Sequence, residues 1–285
     1  MTTTLLLILI SVFTLILILF IIRIKYYHNR LDVAKYTHSQ LINKISRIQH
    51  EHQLTSPNHP NDHPEYHFNL RKVKQQLIDI LDAYKLDSDL KEYHIIATSQ
   101  IAKKNSLYAY IHYFDYIIVT NIGIVLIDIK TLKNKTFLHF NGGRSFKTED
   151  DVDKTIAQYL ANRYHAQFNT NMTTPYTFSE KVTQNGIQFQ FDKYEPWMIS
   201  KKSITYLNDY FESSLDIAMT TKSYIYCIQE NTQLIVGDVQ SDENVSICRN
   251  KDALNTAIHH LIKTSRSNFS SQNITYIVNS FLKHE

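Results

Sequence analysis

Asp115-Tyr-Ile-Ile-Val-Thr-Asn-Ile-Gly-Ile-Val-Leu-Ile-Asp128-Ile-Lys130 reads as two β-strands joined at Asn121-Ile122-Gly123. The second strand is apolar except for a carboxylate and an amine two residues apart. A run such as residues 124–129 belongs in a buried sheet strand. Ionised Asp128 and Lys130 in that setting cost several kcal/mol unless they are paired, hydrated or bound to a metal. A functional site is therefore expected at this point of the chain.

Residues two apart on a strand leave the same face, so Asp128 and Lys130 share one. A two-residue loop at Asn121-Ile122 pairs Asp115 directly with Asp128. A three-residue loop with Gly123 in the left-handed conformation shifts the pairing by one and turns Asp115 to the other face. With the first register, two carboxylates and one ammonium converge. Two carboxylates with water ligands suit Mg²⁺, or Mn²⁺ in its place. Such an ion stabilises charge on a phosphodiester and helps deprotonate water. Lys130 is then the catalytic base or the group that neutralises developing charge.

Asp115, Gly123, Asp128 and Lys130, with the apolar strands between them, resemble the core of the nuclease-related (NERD) domain, grouped with the PD-(D/E)xK nucleases. That pattern is an Asp, a hydrophobic run, a Gly eight residues on, and an acid-x-Lys beginning thirteen on, and the spacing here matches it. More loosely, the resemblance covers residues 68–264. It implies a restriction-endonuclease-like α/β fold, with Asp115, Asp128 and Lys130 catalytic and Asp115 and Asp128 holding the metal. It also implies Gln158 as an accessory residue on the helix after the core sheet. The chain departs from the family at the first helix, where Gly-Glu is common and Asn69-Leu70 stands instead. Asp79, Asp82 and Glu92 are the candidates to replace that acid. The acid of the acid-x-Lys pair is commonly Glu, and here it is the shorter Asp128.

With 285 residues and 43% hydrophobic side chains the chain has ample material for a core. Residues 5–22 are apolar apart from Ser11 and Thr14 and carry no charge. At 1.5 Å per residue they reach roughly 27 Å, enough for a transmembrane anchor. A cleaved secretory signal is the competing reading, but no basic residue precedes the segment and no small-residue cleavage site follows. Arg23, Lys25 and Arg30 follow it, which places the C-terminal side in the cytoplasm. Cys227 and Cys248 are read as buried thiols of a reducing compartment. The net charge of +3 is too mild to argue for nucleic acid by itself.

Residues 23–67 form a juxtamembrane segment. Apolar spacing over 31–52 suggests a helix that packs on the domain or associates with a second copy. A tether follows, with Pro57, Pro60 and Pro64 among His59, His63 and His67; solvated histidines are its plain reading. The nuclease-related core spans 68–168, and 169–285 is an α+β continuation. Helices are predicted over 68–84, 151–168 (Ile156, Leu160 and Tyr164 on one face), 251–264 and 271–283. Strands are predicted over 92–99, 115–120, 124–130, 137–140, 224–229, 234–239 and 245–248, with a further strand starting at 108–112. Gln184-Asn185-Gly186 marks a hairpin. The expected fold is α/β, a mixed sheet flanked by helices.

Around the site, Arg71, Lys72, Lys74, Lys103, Lys104, Lys133, Lys135, Arg144 and Lys147 are either phosphate contacts or a solvated face. Tyr108, Tyr110, Tyr113 and Tyr116 are base-stacking candidates or half-buried strand residues. His112 and His139 are candidate proton carriers. The leading expectation is a membrane-anchored protein that binds and hydrolyses DNA with Mg²⁺ or Mn²⁺. The alternatives are a degenerate nuclease fold acting as a tethered nucleic-acid or protein-binding module, and a scaffold that associates through 31–52.

Overall fold

The computed structural model describes residues 64–283 except 133, 146–150, 184–185, 229–232, 241 and 266, together with Phe20 and Arg23. The chain divides into two units, Met1–Pro60 and Asn61–Glu285. In the first, only Phe20 and Arg23 are described, both helical. The remainder of the expected span 5–22, the 31–52 helix, and His59 and His63 of the tether lie outside the described residues. Among the described residues, no helix is long and apolar enough to cross a membrane.

The second unit is a mixed α/β structure built on two sheets, where the sequence suggested one. It opens with α1 (Pro64–Leu86). Val73, Leu77, Ile80 and Leu81 recur at helical spacing and are buried on the first sheet. Each contributes about 1.5–3 kcal/mol by leaving water.

β1 (Tyr93–Ala97), β2 (Tyr116–Thr120) and β3 (Gly123–Thr131) form an antiparallel meander. Residues 108–112 do not make a strand; Tyr108–Ile111 is a short helix, α2. Tyr and Ile favour strands, but Leu107, Ile111 and Phe114 follow at steps of four and three, and all three are buried together. Tertiary burial at helical spacing overrides the local preference.

Thr120 pairs with Gly123, so the β2–β3 loop is the two-residue Asn121-Ile122. Gly123 has φ +156, and a Cβ there would lie 2.5 Å from the Thr220 carbonyl oxygen. That oxygen accepts from Ile124 N–H at 2.9 Å, so β3 enters the sheet against the lead-in to β7 (Thr221–Ile228). β3 and β7 are parallel, with Asp128 beside Ile225 and Lys130 beside Cys227. β9 (Val245–Cys248) adds in parallel to β7 and completes a five-stranded sheet of order β1-β2-β3-β7-β9.

The second sheet has the order β6-β5-β4-β8, from β4 (Thr136–Gly142), β5 (Thr174–Thr183), β6 (Gly186–Phe191) and β8 (Leu234–Val236). Its apolar side packs on α3 (Val152–His165), capped by the Asp151 carboxylate. α3 turns differently from expectation. Ala157, Ala161 and His165 are buried while Ile156 is exposed, because α3 approaches β4 closely at Gly142, where the Ala161 carbonyl and His165 leave no room for a Cβ.

α4 (Pro196–Leu215) was not foreseen. With α6 (Ser271–Leu282) it covers one face of the first sheet, through Trp197, Leu207, Phe211, Ile277 and Phe281. α1 and α5 (Lys251–Thr264) cover the other face. Asp128 lies on the α4 side, in alternation with Ile124 and Leu126.

Candidate active site

Asp128 is buried in the middle of the sheet, and its carboxylate is held 3.1 Å from the Lys130 ammonium. Lys130 keeps a third of its side chain in solvent. Burial pushes the Asp128 carboxyl above its usual range; Lys130 pulls it down without prevailing, and Glu195 adds to the rise. Burial also works against the Lys130 ammonium, but Asp128, Asp192 and Asp115 outweigh it and raise its pKa. Lys130 is therefore a cation at neutral pH.

Asp115 directly precedes β2, whose first pair is Tyr116 with Ile127, so the paired register stops short of Asp115 and Asp128. Its backbone N–H donates to Ile127 O at 2.8 Å. Its Oδ2 accepts from Ile129 N–H at 2.7 Å, where the next rung of the ladder would have offered a carbonyl. Asp115 thus ends the β2–β3 ladder and also contributes charge at Lys130.

Two further acids, unsuspected from sequence, come from the β6–α4 junction. Asp192 follows β6 and donates its N–H to Thr177 O. It is exposed at the surface, with protein packed around its carboxyl. Burial, with help from Asp128 and Glu195 and against Lys130, raises its pKa to about 6. Glu195 is the N-cap of α4: its Oε2 accepts from Met198 N–H at 2.6 Å and its Oε1 from the Thr177 hydroxyl at 3.1 Å. The signal that was available is Glu195-Pro196, a cap followed by Pro at the first helical position.

His139 completes this set. It sits in the β4 bulge at φ 61, a conformation unusual for a residue with a Cβ. Its Nδ1 is 3.2 Å from Glu195 Oε1, in ion-pair range but off a hydrogen-bonding axis, so Nδ1 makes no hydrogen bond among the described residues. The indole of Trp197 stands beside the imidazole, with ring centroids 6.2 Å apart.

Other candidate residues are engaged elsewhere. Gln158 on α3 donates to Asn141 O at 2.6 Å. Asp79 accepts from Gln75 and pairs with Lys251. Asp82 accepts from the Tyr93 hydroxyl. Glu92 lies next to the turn end of the hairpin, opposite to the Asp128 end, and bonds His94 and Ser271. Asn69 is buried and reaches Thr131 Oγ1 at 3.4 Å, so the start of α1 adjoins the end of β3 with a neutral amide. Lys135 and Arg144 are paired with Asp153 and Asp238, and Lys133 and Lys147 lie outside the described residues.

Cys227 adjoins Lys130 across the parallel pair, and burial pushes its thiol up to about 12. Cys248 is likewise a buried thiol, packed on the opposite face.

Among the described residues no three His, Cys, Asp or Glu side chains already stand as a cage for a metal ion. Mg²⁺ commonly takes only one or two carboxylates and keeps water for the rest of its shell. Asp115, Asp128 and Asp192 offer the hard oxygen donors it prefers.

In comparison with known proteins, the chain matches no protein-family model, no curated protein and no solved structure. The fold defines a mixed α/β protein with a carboxylate–lysine pair built into its central strand.

Proposed function

We propose that this chain is a membrane-anchored, nuclease-related protein that binds DNA and hydrolyses its phosphodiesters with Mg²⁺ or Mn²⁺. The observation that carries the reading is the convergence of Asp115, Asp128 and Lys130 at one end of the β2–β3 hairpin. The strand order around it, an antiparallel meander followed by a parallel strand, supports the restriction-endonuclease-like assignment. The uncharged segment 5–22 supports the anchor, with the catalytic unit on the cytoplasmic side.

The donor set fits a divalent cation. Asp128 and Glu195 raise the pKa of Asp192, Glu195 also raises that of Asp128, and a cation among such acids relieves that repulsion. When bound, it would neutralise phosphate charge and make a water more acidic. The Lys130 ammonium, kept protonated by its acidic neighbours, stabilises negative charge on the phosphate and orients water; it does not act as the base. Asp128 holds that ammonium in place, and the buried strand fixes both against drift.

Asn69 supports a second reading. It occupies the region where the resembling family carries an acid, and its amide brings no charge to the end of β3. On this reading the fold binds nucleic acid or protein without cleaving it. The discriminating experiment incubates the full chain in detergent with plasmid and single-stranded DNA under Mg²⁺, Mn²⁺ or EDTA. Cleavage that needs metal and disappears in Asp128→Asn and Lys130→Ala supports the nuclease. Binding without cleavage, unchanged by Asp128→Asn, supports the second reading and refutes the first.

A further inference from the structure

We propose that an aromatic cluster on the two loops that carry Asp115 and Asp192 binds single-stranded nucleic acid by stacking its unpaired bases. The inference rests on the nuclease-related reading for the class of polymer, and goes beyond it in naming strandedness and the residues that select it. Tyr108 stacks on His112 with centroids 5.3 Å apart at 19°, and His112 lies 3.7 Å from Tyr113. Tyr113 meets Tyr194 edge to face at 5.0 Å. His112 is exposed, and Tyr194 is 46% exposed although aromatic rings gain by burial. The Lys193 ammonium stands 5.1 Å from the Tyr194 ring centroid.

The position of this cluster ties it to the site. Tyr113 lies two residues before Asp115, and Tyr194 lies between Asp192 and Glu195. The two loops that carry Asp115 and Asp192 therefore also carry the two rings that meet edge to face. Ring faces accept any base, but only a base with a free face; a duplex keeps its bases stacked on each other. Lys193 supplies a cation for the phosphate beside the stacked base. The arrangement suits a strand lying along Tyr113 and Tyr194, with its next phosphodiester led towards Asp128 and Lys130.

The test measures fluorescence anisotropy of labelled oligo(dT), oligo(U) and a duplex of equal length with the full chain in detergent. EDTA is present throughout, so that binding is separated from cleavage. Single strands are expected to bind more tightly than the duplex. Tyr194→Ala is expected to weaken single-strand binding roughly ten-fold, with Tyr194→Phe retaining it, since a stacked base is lost only when the ring is. Tyr113→Leu serves as a second variant, with thermal melts confirming that each protein is folded. The relative affinities for oligo(dT) and oligo(U) identify the sugar. Equal duplex and single-strand binding, or a folded Tyr194→Ala that binds as the unmodified chain does, overturns the proposal. Absence of metal-dependent cleavage overturns the nuclease reading instead, and is scored in separate reactions.

Discussion

The Asp115 carboxylate accepts the Ile129 backbone N–H at 2.7 Å, replacing a rung of the β2–β3 ladder where β2 has not yet begun. The same side chain that is expected to serve a cation is therefore also part of the sheet. Asp115→Asn keeps an acceptor for Ile129, whereas Asp115→Ala leaves a half-buried donor unsatisfied, at about 1–3 kcal/mol. Chemical denaturation should find the Asn variant close to the unmodified protein and the Ala variant clearly weaker. Both should fail to cleave DNA. Equal stability of the two variants would contradict the ladder role.

Asp128 and Lys130 are a coupled pair in a mostly dry setting. Removing one partner strands the other, so Asp128→Ala should lose about 1–3 kcal/mol, below the value for a fully buried pair because Lys130 reaches solvent. The double variant Asp128→Leu with Lys130→Met should recover much of that loss while remaining inactive. A double-mutant cycle on melting curves tests this, and additive losses would count against coupling.

Asp192 provides a pH signature. Its folded pKa is about 6, above the ordinary 3.8, so the folded state binds the proton more tightly than the unfolded chain. Stability from this group therefore falls as pH rises from about 4 to 6, and the penalty is fully present above that window. Asp192→Asn should raise the melting temperature at pH 8 and leave it little changed at pH 4. Mg²⁺ should likewise raise the melting temperature of the unmodified chain at pH 8, and less so in Asp128→Asn. Melts across this range with and without Mg²⁺ measure both, and an unchanged profile in Asp192→Asn would refute the assignment.

Gly123 belongs to the motif for a reason of packing. A Cβ at this position meets the Thr220 carbonyl at 2.5 Å, and φ +156 disfavours any side chain. Gly123→Ala should cost roughly 2 kcal/mol or more, read as a lower denaturation midpoint. A wild-type midpoint would show that β3 and Thr220 can move apart to admit a Cβ.

Much of the architecture was readable from local pattern. The β2–β3 hairpin, the antiparallel pairing of β5 with β6, β9 and α5 follow from apolar alternation, turn residues and caps. α4 escaped because its buried face includes Ser200 and Ser203, which interrupt the apolar period between Trp197 and Ile204. The Asp128–Lys130 pair was legible because charge in an apolar strand stands out. Asp192 was not, because only the end of the second sheet and the start of α4 bring it towards Lys130. Glu195-Pro196 carries a helix-cap signal but no sign of its neighbours, and His139 is a candidate from sequence whose place beside Glu195 depends on the β4 bulge.

The parallel pairing of β3 with β7 also governs how the protein is made. Thr221–Ile228 leaves the ribosome long after Gly123–Thr131, so the nascent hairpin carries a bare hydrophobic flank throughout that interval. The charged pair at Asp128 and Lys130 interrupts that otherwise apolar strand, and charge of this kind disfavours self-association of an unpaired edge.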